Sequence, residues 1–158
     1  MLPQRKILIF NTLAGLPGNQ LDRMQSVINA AAGLVCSARK YEHITPLLRD
    51  LHWLLVRERI EFKLAVLVFR CLHGTAPPYL ANAELCRVVD IDARKQLRSV
   101  STSALVTPSS RRSTLGGQAF FVASPHVWNS LLSNVTALQT LGTFRRRLKT
   151  HLFAVSLT

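Results

Sequence analysis

The sequence predicts a mainly α-helical protein: a small helical domain with a short β-hairpin in its C-terminal half. Three observations carry that class. Apolar residues recur at helical spacing through most of residues 21–85 and again near the end of the chain. Proline and glycine fall where those helices start and stop. Between the two helical regions the period fades into Ser, Thr, Val and Arg, with two short segments of strand composition. At 158 residues, 48% of them hydrophobic, the chain is long enough to bury a core, roughly 70% of the surface its unfolded form exposes. The expected organisation is a helical subdomain over 1–85 and a basic subdomain of β-hairpin plus helices over 86–158, sharing one core.

The first helix follows "GLPGNQ", a turn by composition. In "LDRMQSVINAAAGLVCSARK", Leu21, Met24, Val27, Ile28, Ala31, Leu34 and Val35 share a face, with Arg23 and Gln25 off it. Gly33 costs about 1 kcal/mol against alanine there, unless it permits a close helix contact. In "ITPLLRDLHWL", Thr45 reads as an N-cap and Pro46 as the first helical residue, for a short helix to about Trp53. "VRERIEFKLAVLVFRCLHG" keeps Val56, Ile60, Leu64, Leu67 and Cys71 on one side and stops at Gly74. Its second half is apolar nearly all round, which marks it as the central helix. "APPYLANAEL" gives a proline-marked turn and another short helix.

From Cys86 the pattern changes. "SALVT" and "AFFVA" are the expected strands of the hairpin, with Arg111 and Arg112 at its tip. Ser124 caps and Pro125 opens the next helix, "HVWNSLL". In the last helix, "TLGTFRRRLKTHLF", Leu141, Phe144, Leu148 and Leu152 form one face, and Arg145, Arg146, Arg147 and Lys149 spread over the others.

Charge is the most unusual bulk property. Twenty Lys and Arg, fifteen of them arginine, face eight Asp and Glu, for a net +12. Residues 1–92 hold all eight acids beside eleven bases, whereas residues 93–158 hold nine bases and no acid. A block without local neutralisation has a polyanion as its natural complement. The competing reading is a solvated face that only aids solubility.

Chemistry of other kinds is poorly provided for. Cys36, Cys71 and Cys86 are odd in number and follow no disulfide or zinc spacing, so they read as core thiols of a reduced, intracellular compartment, nuclear or cytoplasmic. No metal or cofactor is expected. His52 and His73 read as helix-end residues. Ser124 or Ser130 near His126 lacks the strand–turn–helix setting of a hydrolase nucleophile, and no acid lies in the basic half for a metal-dependent nuclease. An enzyme is therefore not expected, nor a small-molecule substrate. No stretch approaches the roughly eighteen apolar residues of a membrane span, and Asn11 interrupts the short apolar run near the start. Trp53 and Trp128 read as core anchors.

Four ordered blocks, "NTLAGLP…LDRMQSVINAAAGLV", "HITPLLRDLHWLLVRERIEFKLAVLVFRCLHGTAPPYL", "AFFVASPHVWNSLL" and "FRRRLKTHLF", resemble the C-terminal region of LINE-type (non-LTR) retrotransposon reverse transcriptases. They span about Asn11 to Phe153. The resemblance implies an accessory role, downstream of the polymerase fingers and palm, in holding template RNA or target DNA during target-primed reverse transcription. The polymerase core would be a second partner. There is no Tyr-Ala-Asp-Asp type motif and no aspartate pair for two-metal chemistry, so polymerase activity is not carried over. Leu55 and Leu132 stand where the family commonly has proline, and Gly33 where it commonly has arginine. Without those prolines the two early helices are expected to run on through Leu54 and Leu55. The functional expectation is non-enzymatic, non-specific contact with the phosphate backbone of RNA or DNA through Arg111, Arg112, Arg145, Arg146, Arg147 and Lys149. The alternative is a protein-interaction or structural remnant, which predicts an orphaned apolar face.

Overall fold

A computed structural model describes residues 16–39, 41–81, 85–90, 104–107 and 120–156. In order these form α1 (Gly18–Val35), α2 (Ile44–Asp50), α3 (Val56–Leu72), α4 (Pro78–Ala81), a single 3-10 turn at Val88–Asp90, α5 (Phe120–Ser130), α6 (Ser133–Thr136) and α7 (Leu141–Ser156).

The expected central helix is central. Leu64, Ala65, Val68 and Phe69 of α3 are buried, and α3 packs against α1, α5 and α7. Phe144 of α7 lies between two rings, stacked on Phe69 at 4.5 Å and on Trp128 of α5 at 5.8 Å between centroids. Phe153, near the end of α7, stacks on His52, just before α3. Helices α3 and α7 therefore run antiparallel. One buried cluster joins Leu54, Leu64, Phe69, Leu80, Leu105, Phe120, Trp128, Phe144, Leu148 and Leu152, so residues from both halves of the chain share it.

No strand occurs among the described residues, and the expected β-hairpin is corrected accordingly. Leu105 of "SALVT" makes only an isolated antiparallel bridge with Arg87. "AFFVA" is not its partner: from Phe120 it forms the start of α5. The cause is a period that Pro125 obscures. Phe120, Ser124 and Trp128 recur every four residues and are all buried, which places them on the inward side of the helix that runs from Phe120 to Ser130. Ser124 is thus not a cap. Its hydroxyl donates to the Phe120 carbonyl one turn back, and Pro125 lies inside the helix rather than at its start. Arg111 and Arg112 lie outside the described residues.

Two boundaries also differ from expectation. The cap of α2 is His43, not Thr45, which puts Pro46 third in the helix, still in the first turn, where an amide has no intrahelical partner. The early helices do not run on. His52 adopts the left-handed conformation at φ 53, its N–H donates to the Arg49 carbonyl, and the Trp53 N–H donates to the Leu48 carbonyl. These are the closing bonds of a Schellman stop. Ser37 (φ 51) ends α1, and Gly74 (φ 65) ends α3, with the same pair of bonds. Leu55 is the extended N-cap of α3, at φ −63 and ψ 166.

The start of α3 is held from another helix. Gln25 of α1 accepts the Val56 N–H at 2.8 Å and donates to Asn29 at 2.7 Å, satisfying one of the first-turn donors a helix leaves open. This fixes which side of α1 faces inward: Ala32 is buried on it. The row read from the sequence as the apolar face points partly outward, with Met24, Val27, Leu34 and Val35 all exposed, Leu34 by 82%.

Candidate nucleic-acid interface

The four predicted cations of α7 are all exposed, but they do not act on one face. Phe144, Leu148 and Leu152 set the buried side of the helix. At 3.6 residues per turn, Arg145 and Lys149 stack on one flank, Arg146 faces away from the core, and Arg147 lies on the opposite flank. The flank carrying Arg145 and Lys149 is the one that meets α3.

There the two helices bound an open groove of about 440 Å³. Arg59 and Lys63 of α3 line it opposite Arg145 and Lys149 of α7. His52, Trp53 and Phe62 supply rings, Leu54 closes the lining, and no carboxylate lines it. The Arg59 guanidinium carbon sits 5.7 Å from the Trp53 ring centroid, and its Nε donates to the Leu54 carbonyl at 2.7 Å. One arginine is therefore held between an aromatic face and a carbonyl.

Arg145 and Lys149 belong to the acid-free block of the sequence. Arg59 and Lys63 were missed, because their stretch, "RERIEFK", carries Glu58 and Glu61 and reads as locally balanced. Helical spacing separates them: a four-residue step keeps Arg59 and Lys63 on one flank of α3. Burial, then the neighbouring Glu58, pushes the Glu61 carboxyl above its ordinary range, while Arg57 pulls it down. Trp128 is a core anchor at 1% exposure, whereas Trp53 is only half-buried and holds Arg59.

A larger cleft, about 680 Å³, lies between α1 and α2, but its lining holds one cation, Arg39, and one carboxylate, Glu42, and so has no cationic excess. Among the described residues no three His, Cys, Asp or Glu side chains converge as a metal site. The Ser124 hydroxyl is buried and bonded to Phe120, Ser130 donates to the Val127 carbonyl, and His126 is exposed. His73 stacks on Phe69 and bonds the carbonyl of that residue at the end of α3. Burial raises the Cys71 thiol. Among the described residues no helix is long and apolar enough to cross a membrane.

No family model, no curated protein and no solved structure matches this chain.

Proposed function

We propose that this chain binds nucleic acid without catalysis, through the basic groove between α3 and α7. The observation that carries the reading is the meeting of Arg59 and Lys63 with Arg145 and Lys149 in a lining without carboxylates. Arg146 and Arg147 extend positive charge around α7, and Arg111 and Arg112 belong to the same expected footprint. Phosphate contacts of this kind carry no sequence information, so the binding is non-specific. The role fits an accessory region of a LINE-type reverse transcriptase contacting template RNA or target DNA, in the nucleus or cytoplasm. Two backbone details support that lineage. Leu55 and Leu132, where the family commonly has proline, have φ of −63 each with ψ of 166 and 143, a conformation that proline adopts without strain.

Binding of the full chain to single-stranded RNA and duplex DNA at two salt concentrations tests the reading. If Z phosphates are neutralised, log affinity falls with log salt at a slope of roughly −0.7Z to −0.9Z. Lys149→Ala is expected to make that slope shallower. Negligible binding of both probes at low salt overturns it.

A second reading has its own observation. The exposed row of Met24, Val27, Leu34 and Val35 on α1 is the orphaned apolar face that a structural or protein-interaction remnant predicts, its natural cover being the polymerase core of the same family. That reading expects concentration-dependent self-association of the isolated chain. A monomer by light scattering at high concentration counts against it.

A further inference from the structure

We infer that the groove takes a single strand, with one unstacked base laid against the Arg59–Trp53 pair and the backbone held by Lys63, Arg145 and Lys149. The inference rests on the nucleic-acid reading above and adds the form of the ligand.

A purely phosphate-binding surface needs cations and amides but no rings. This groove sets three rings, His52, Trp53 and Phe62, among its four cations. Rings are useful to a nucleic acid only where a base face is open, which a stacked duplex does not offer. Arg59 strengthens the case because its guanidinium is already held. The guanidinium rests 5.7 Å from the Trp53 centroid and its Nε is tied to the Leu54 carbonyl. A planar cation held this way meets a base without first losing its own freedom. Arg145 and Lys149 are one turn apart, about 6 Å along the α7 axis. They therefore follow a backbone rather than converge on a single phosphate. The stacked pair of His52 and Phe153 joins the end of α7 to the turn before α3, so the rings and the cationic flank keep a fixed relation.

The tryptophans make the test direct. Trp128 is 1% exposed and Trp53 lies in the groove, so an emission change on adding ligand reports Trp53. The probes are oligo(U), oligo(dT) and a mixed-sequence DNA duplex, titrated into the full chain at one salt concentration. Both single strands are expected to quench emission and to bind roughly tenfold tighter than the duplex, the scale of one stacked base. Arg59→Lys keeps the charge and removes the planar fork, so it is expected to lose most of that preference while keeping the salt slope. Lys149→Ala is expected to do the opposite, weakening all three probes alike and flattening the slope. Trp53→Phe keeps a ring and is expected to retain the preference without the signal. Equal binding of single strands and duplex with no quenching overturns the inference and leaves the nucleic-acid reading standing. Absence of binding to all three probes at low salt overturns both.

Discussion

The Asn129 side-chain amide closes both backbone hydrogen bonds of Leu105. The Leu105 N–H donates to Asn129 Oδ1 at 2.8 Å, and Asn129 Nδ2 donates to the Leu105 carbonyl at 2.9 Å. On its other side the same short segment is bonded by Val88 and Val106 to Ala104 and Cys86. One side chain thus stands in for a neighbouring strand and seats Leu105, 2% exposed, in the core. Asn129→Ala removes the donor and the acceptor together. It is expected to lower the unfolding free energy by about 1–3 kcal/mol, the cost of stranded polar groups. Urea titration followed by circular dichroism measures it, and a change within error rejects the clamp.

Glycine in α1 sits four residues too early. Gly33 is helical, and a Cβ there would meet nothing within 4 Å, so no close contact offsets its cost. Ser37, by contrast, holds the left-handed stop at φ 51, where glycine carries no Cβ penalty. Gly33→Ala and Ser37→Gly are each expected to stabilise by about 1 kcal/mol. Thermal melts of the two single variants check both, and destabilisation by either one contradicts the assignment of that backbone.

Proline is expected to be accepted at two leucines and rejected nearby. Leu55 and Leu132 are extended N-caps whose φ already equals that of proline. Leu55→Pro and Leu132→Pro are expected to change the unfolding free energy by no more than about 1 kcal/mol. Val127→Pro, inside α5, is the control and is expected to cost about 3 kcal/mol or more. Equal damage at 55 and 127 refutes the break between α2 and α3.

Glu61 gives a pH dependence with a definite sign. Burial and Glu58 favour its neutral form in the folded chain, so its folded pKa is raised. The stability tied to its protonation is complete below the ordinary glutamate range and is lost as pH rises through the raised value. Glu61→Gln is therefore expected to be slightly more stable than the parent at neutral pH and indistinguishable from it near pH 3, where the parent carboxyl is protonated (ordinary value about 4.3). A gain of the same size at both pH values would point to packing instead.

Sequence pattern disclosed most of this fold, and the failures have physical causes. Helices α1, α3 and α7 are long enough for their apolar period to be read, and Gly74 marks the stop of α3 as expected. The second half of α5 is legible in "HVWNSLL", but its first half is hidden because Phe and Val have strand composition and Pro125 divides the segment. Only burial reveals that Phe120, Ser124 and Trp128 share a side. The apolar row of α1 was read from hydropathy, while the inward side was decided by Gln25, whose partner Val56 is 31 residues away. Charge disclosed Arg145 and Lys149. It could not disclose Arg59, Lys63 or the role of Trp53, because the groove exists only where α3 and α7 pack antiparallel.

The seat of α1 has a consequence for how the molecule opens. The main buried cluster begins at Leu54 and draws no member from α1 or α2, while four large apolar side chains of α1 face outward. Lifting α1 away exposes only the smaller buried set of Ala32, Leu48 and Val56, and the Gln25 bond to the first turn of α3 is a polar tie that must break. Amides of α1 should exchange with solvent through a partial opening at lower free energy than those of α3 and α7, whose release requires the whole core to come apart. Native-state hydrogen exchange that finds α1 as protected as α3 would show one cooperative unit. Otherwise the chain behaves as a three-helix kernel wearing a detachable first layer.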